Sequence, residues 1–323
     1  MDFGQILSEA VGELFSPTTA AYALAALGLA VHFGYSGLLN FGQAGFIAVG
    51  AYVFAMTTIH LQFPFWLALI AAVLASVVFA LILGIPTLRL RADYLAIVTI
   101  AAAEIIRYVV TTNTLTDVTG SANGLAGIRQ DFLRLNPFPQ GTFYFGYSSN
   151  DFFFRVFGWG LVVILGIVVW LLMRSPWGRV LKGIREDELA VRSLGKNVYA
   201  YKMQALILGG IFGSLAGLVF TLPRDVVQPA NYGTEFTFFL WTCLLLGGMA
   251  TVLGPIVGAM IFWVVLSLTQ NVLYGLIQIG ALPFLSTTQA GQLRYILVGV
   301  ALMLLMIFRP QGVFGNKKEL AFS

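Results

Sequence analysis

The sequence predicts an all-α, polytopic membrane protein of about eight to ten transmembrane helices. Three observations predict it. The chain is 59% hydrophobic and 10% charged, with a mean hydropathy of +0.87, which is a membrane rather than a soluble composition. Apolar runs of about 20 residues, the length that crosses a bilayer, recur along the whole chain. The Lys and Arg residues gather in a few interruptions between those runs, as they do in basic cytoplasmic loops.

The same totals exclude other classes. No polar stretch is long enough to fold a sizeable soluble core. The net charge of +4 therefore reads as basic loops on a membrane protein, and no nucleic-acid partner is expected. The single cysteine, Cys243, lies in an apolar run and is read as a small buried hydrophobe. His32 and His60 form no metal-binding motif, so no metal site is expected. His32, near the end of the first span, is read as a satisfied interfacial side chain.

The elements follow in order. Residues 1–16 hold Asp2, Glu9 and Glu13 and no Lys or Arg, so they lack the basic start of a signal peptide. Phe3, Ile6, Leu7, Val11, Leu14 and Phe15 recur at helical intervals and predict a short amphipathic helix on the outer interface. The transmembrane domain is expected over 17–316, with a tail at 317–323. Candidate spans are 18–34, 37–59, 64–88, 93–112, 152–173, 203–222, 236–250, 255–273 and 292–308. Glycines make 37–59 a candidate for a broken helix. Gly247, Gly248, Gly254 and Pro255 divide 236–273 into two spans, or into one span and a re-entrant hairpin.

Three basic groups set the orientation. They are Arg89 with Arg91, a charged island at 174–202, and Arg309 with Lys317 and Lys318. Nine spans bring all three to one face, the cytoplasm, if the N-terminus lies outside. The loop at 113–151 then falls outside and the C-terminus inside.

The island is dense. Between Arg174 and Lys202 lie ten of the 32 charged residues, in 29 of 323 positions. Its stretch Arg185, Glu186, Asp187, Glu188, Leu189, Ala190, Val191, Arg192, Ser193, Leu194, Gly195 places acids at a helix start and glycine at its end. That order suits the helix dipole and a C-terminal turn, and predicts one short cytoplasmic helix over about 186–194. Leu189 and Leu194 give it apolar bulk, and Glu188 with Arg192 can pair at i,i+4.

Two spans carry polar residues at depth. Glu104 is eleven residues past Asp93, roughly 16 Å along a helix, and Arg107 is one turn further on. The pair reads as a gate or pathway lining, or as a structural ion pair that locks the span. In 37–59, Gly42 and Gly45 permit close approach, and Asn40 and Gln43 place amides at i and i+3. These read as a broken helix lining the solute path, or as a tight helix contact joined by amides. No Walker A motif (G-x-x-x-x-G-K-[ST]) occurs, so this chain is not expected to bind or hydrolyse ATP. No catalytic residue is expected. A stand-alone transporter or channel remains the competing class, with Glu104 the one mid-membrane acid available to it.

The runs LLNFGQAGFIAVGAY, LRLRADYLAIVTIAAAEIIR, TGSANGLAGI and SPWGRVLKGIREDELAVRSLGKN together resemble the permease subunits of branched-chain amino acid ABC importers. The resemblance covers about 35 to about 315, in the family's order. It implies a second, homologous permease half, two cytoplasmic ATPases that bind ATP and Mg, and an external solute-binding protein. It also implies that the island holds the coupling helix that enters an ATPase cleft. The general importer pattern E-A-A-x-x-x-G is approximated by Glu188, Ala190 and Gly195, with the glycine one position late. Permeases for other neutral amino acids, and for urea and short amides, belong to the same relatives, and the spans do not separate these substrates. The resemblance also implies a bacterial inner membrane as the location.

Overall fold

The computed structural model describes residues 3–89, 92–279, 286–308 and 311–315. Asp2, Arg91, Arg309, Lys317, Lys318 and the 317–323 tail lie outside the described residues. The long helices are α1 (Phe3–Leu14), α2 (Pro17–Leu29), α3 (Gln43–Ile59), α4 (Phe65–Thr87) and α5 (Ala92–Thr111). After the short α6 (Thr116–Thr119) and α7 (Gln130–Leu133) come α8 (Ser149–Arg174), α9 (Pro176–Glu186), α10 (Glu188–Ser193) and α11 (Val198–Thr221). The chain continues with α12 (Thr234–Gly247), α13 (Leu253–Gln278) and α14 (Thr287–Phe308).

Each of the nine sequence-predicted spans coincides with a helix. Among the described residues, five of these, α4, α5, α8, α11 and α13, are long and apolar enough to cross a membrane alone. α1 and α2, bent by 40° at Ser16, together meet the same test. Ser16 stops α1 and starts α2, because its Oγ accepts from Thr19 N at 3.1 Å and Pro17 sits at the first helical position.

Two predicted spans are shortened. α2 ends in a π-helical turn, Ala30–Tyr35, and the chain then runs without helix to Gly42, with Gly37 at φ 71°. The 37–59 segment is thus a broken helix whose regular part begins only at Gln43. α12 has 14 residues, about 21 Å of rise against about 30 Å of hydrocarbon. It folds back on α13 through the break at 248–252, where Gly248 takes φ 117°.

The core is α2, α3 and α11. α2 buries every residue from Thr19 to Leu29, as a helix apolar on all sides should. Of the apolar window of α11, 72% is buried, against 22% for α5 at the periphery. Small residues let backbones touch here. A Cβ on Gly50 of α3 would fall 2.3 Å from Ser214 Oγ of α11. The loop after α5 is ordered by two-residue strands: β1 (Leu125–Ala126), β2 (Phe143–Tyr144), β3 (Tyr147–Ser148) and β4 (Val226–Val227). β1 pairs antiparallel with β4, far along the chain, and β2 with β3. Asp225 fastens the first pairing by accepting from Arg129 N at 3.0 Å.

Candidate functional site

The island folds as two helices rather than the single one expected. Pro176 opens α9, which buries Gly178, Leu181 and Ile184 against the bundle. Arg185 anchors the end of α9 by donating from Nη1 to Gly34 O. Asp187 is extended, and its Oδ1 accepts from Ala190 N at 3.0 Å. That cap breaks the chain between Glu186, the last residue of α9, and Glu188, the first of α10. Arg179 lies within α9, outside α10.

α10 is a short, presented helix. Val191 is its one buried residue, while Leu189 is 71% and Leu194 78% exposed. Glu188 Oε1 holds Arg192 Nη2 at 2.7 Å, the expected i,i+4 pair. Its other oxygen takes Lys202 Nζ of α11 at 2.5 Å, a partner that spacing along one helix does not reveal. Gly195 turns the chain at φ 75°, and a Cβ there would meet nothing within 4 Å. The turn, rather than crowding, therefore selects glycine.

The amides of the broken second span face inward. Asn40 Nδ2 donates to His32 Nδ1 and to Gln43 Oε1, each at 3.0 Å. Asn40 Oδ1 accepts from Gly42 N at 2.8 Å. Gln43 Nε2 donates to Gly209 O at 3.0 Å, and His32 Nε2 pairs with Leu206 O at 3.1 Å. His32, Asn40 and Gln43 are fully buried. His32 is satisfied as expected but sits in the core, not at an interface. Gly42 and Gly45 lie against α5, where a Cβ would fall 2.1 Å from Thr99 O and 3.0 Å from Ala103 Cα. In this arrangement the four residues pack helices together, and three of the four amide hydrogens of Asn40 and Gln43 are spent inside the protein.

Glu104 and Arg107 are brought together on α5, next to Ala103. Arg107 Nη2 lies 2.7 Å from Glu104 Oε2, and Thr234 Oγ1 at the start of α12 donates to Glu104 Oε1 at 2.7 Å. Both charged side chains are about a quarter exposed (27% and 26%). Sequence reasoning missed Thr234 and left His32 unconnected to Asn40, since these contacts are set by tertiary packing. No group of three or more His, Cys, Asp or Glu is placed to hold a metal among the described residues.

With this geometry in view, the relatives decide the family. The pattern of the branched-chain amino acid transport system / permease component family matches residues 15–307. The chain belongs to that family. The high-affinity branched-chain amino acid transport system permease protein LivM of Salmonella typhimurium is 34% identical over 308 residues, covering 91% of this chain and 68% of the relative. LivM of Escherichia coli is 33% identical with the same coverage. A probable branched-chain amino acid transport permease LivM of Methanocaldococcus jannaschii is 25% identical, covering 92% of this chain and 91% of the relative. This permease is accordingly a transport component rather than an enzyme, and a multi-pass membrane protein.

Proposed function

We propose that this permease forms one half of the path of an importer for branched-chain amino acids, driven by ATPases docked on α10. The observation that carries the proposal is the presentation of α10. Two leucines stand exposed, Leu189 on a six-residue helix and Leu194 at its C-terminal cap, and the ends and charged side chains of that helix are fixed. Exposed apolar side chains on a rigid, polar-rimmed helix favour a protein partner. The residues assigned to that contact are Arg185, Glu186, Asp187, Glu188, Leu189, Ala190, Arg192, Leu194 and Gly195.

The path lies beside α5. A charged pair that is partly exposed about 18 Å into a span is costly against lipid and suits protein or water. Glu104 and Arg107 therefore face a second permease half, and Asn40, Gly42, Gln43 and Gly45 stiffen the wall behind them. The substrate class follows the three relatives, each named for branched-chain amino acid transport, and disfavours urea or short amides. An external binding protein delivers the solute to the N-terminal side, and the island and C-terminus lie in the cytoplasm.

The test is retention of the co-expressed ATPases by the purified permease. Leu189→Arg should insert normally and lose most of the bound ATPase, whereas Arg179→Lys on α9 should retain it. Equal retention by both variants would remove the docking role from α10.

A further inference from the structure

A cavity of about 390 Å³ opens among α8, α9 and α13, at the end of α8 that runs into the island. Trp170, Arg174, Lys182 and Tyr35 line it, with Thr251 and Leu253 at the start of the 26-residue α13. The positive end of that helix dipole thus faces the cavity. The Arg174 guanidinium sits 3.8 Å from the Trp170 ring centroid, and Lys182 Nζ lies 5.8 Å from that of Tyr35. Among the described residues, neither cation has a carboxylate within ion-pair distance, and no acid lines the cavity. Away from its mouth, Val163, Ile164, Ile167 and Leu171 are exposed on α8. Their spacing makes one apolar stripe running into the membrane.

We propose that this cavity binds the phosphate of an acidic glycerophospholipid of the cytoplasmic leaflet, with the acyl chains lying along the α8 stripe. The leaflet assignment rests on the orientation proposed above. Two cations without acidic partners among the described residues, joined by a helix N-terminus, call for an anion. A basic recess between helices at a membrane surface recognises anionic headgroups. Trp170 stands where an interfacial aromatic belongs, between the charged recess and the stripe. A headgroup that carries its own ammonium gains less, because that charge opposes Arg174 and Lys182.

Native mass spectrometry of the intact complex, titrated with phosphatidylglycerol or phosphatidylethanolamine, tests this. The wild type should retain phosphatidylglycerol in preference. Combining Arg174→Gln with Lys182→Gln should weaken that retention about thirtyfold, from two charges near a headgroup. Arg174→Lys should stay near the wild type, as should Lys196→Gln, which removes a charge from the island outside the cavity. Unchanged retention in the double variant, or equal loss with Lys196→Gln, would overturn the proposal. So would displacement of the lipid by excess inorganic phosphate, which would make this a small-anion site. A photoreactive residue at Leu171 should attach to lipid, and attachment to another protein chain would overturn the proposal. Labelling of Lys196→Cys by an impermeant thiol reagent reads the orientation separately. Labelling from outside, with lipid retention intact, would move the site to the outer leaflet and refute the orientation alone.

Discussion

Lys202 of α11 reaches back to Glu188 of α10, with Nζ 2.5 Å from Oε2, and so ties the presented helix to the span that follows it. The Lys202 side chain is 15% exposed, while Glu188 is 36% exposed and also holds Arg192. Isolated surface pairs contribute little, but a carboxylate shared by two cations contributes about 1 kcal/mol. Glu188→Gln should leave the spans intact and loosen α10. Amide hydrogen exchange across 188–195 should quicken by about fivefold. Unaltered exchange would mean that Val191 and the Asp187 cap suffice to hold α10.

Gly195 ends α10 in a left-handed turn at φ 75° with open space around its Cα. Substitution there costs only backbone strain, about 1–2 kcal/mol for a branched residue and less for asparagine. Gly195→Val should reduce transport-coupled ATP hydrolysis in the assembled importer, and Gly195→Asn should preserve most of it. Equal loss in both variants would point to a contact at Gly195 itself.

The sequence made the spans legible because each is a continuous apolar run, and it made α10 legible because acids and a glycine bracket it. α9 escaped because the break that separates it from α10 is one residue, Asp187, whose cap is visible only when its side chain is seen on Ala190 N. The order in the loop after α5 escaped for a different reason. β1 and β4 are two residues each, and Leu125 finds Val227 across about a hundred positions. The same holds for Thr234 on Glu104 and Lys202 on Glu188, contacts set by packing rather than by spacing.

Asn40 spends both amide hydrogens and its oxygen inside the protein. Asn40→Leu would strand His32 Nδ1, Gln43 Oε1 and Gly42 N–H, and each buried orphan costs about 1–3 kcal/mol. The thermal midpoint in detergent should fall by several degrees. An unmoved midpoint would show that the knot adds nothing to stability.

Two glycines of the spans should respond oppositely to alanine. A Cβ on Gly50 would stand 2.5 Å from Ser214 Cα, so α3 and α11 must separate. Gly160 of α8 has nothing within 4 Å of the added carbon, and alanine there gains helix propensity, about 1 kcal/mol. Gly50→Ala should sharply lower the yield of folded protein in the membrane, and Gly160→Ala should maintain or raise it. Similar yields would contradict the close α3–α11 contact.

Glu104 neutralises Arg107 at 2.7 Å and accepts from Thr234, and both charges remain partly open at depth in α5. Removing one partner leaves the other uncompensated in a poor solvent for charge, whereas removing both leaves neither. Glu104→Ala and Arg107→Ala should each lower the yield of inserted, folded permease. The double variant should recover yield beyond the sum of the single losses, a coupling that a double-mutant cycle measures. Transport separates the two roles of the pair. If it lines the path, as proposed, the double variant should fold well and still transport poorly at saturating solute. If it only locks α5 to α12, transport should return together with yield. Thr234→Val serves as the intermediate case, since it keeps the ion pair and removes one hydrogen bond from Glu104. It should cost about 1 kcal/mol of stability, without the loss of transport seen when the charges are gone.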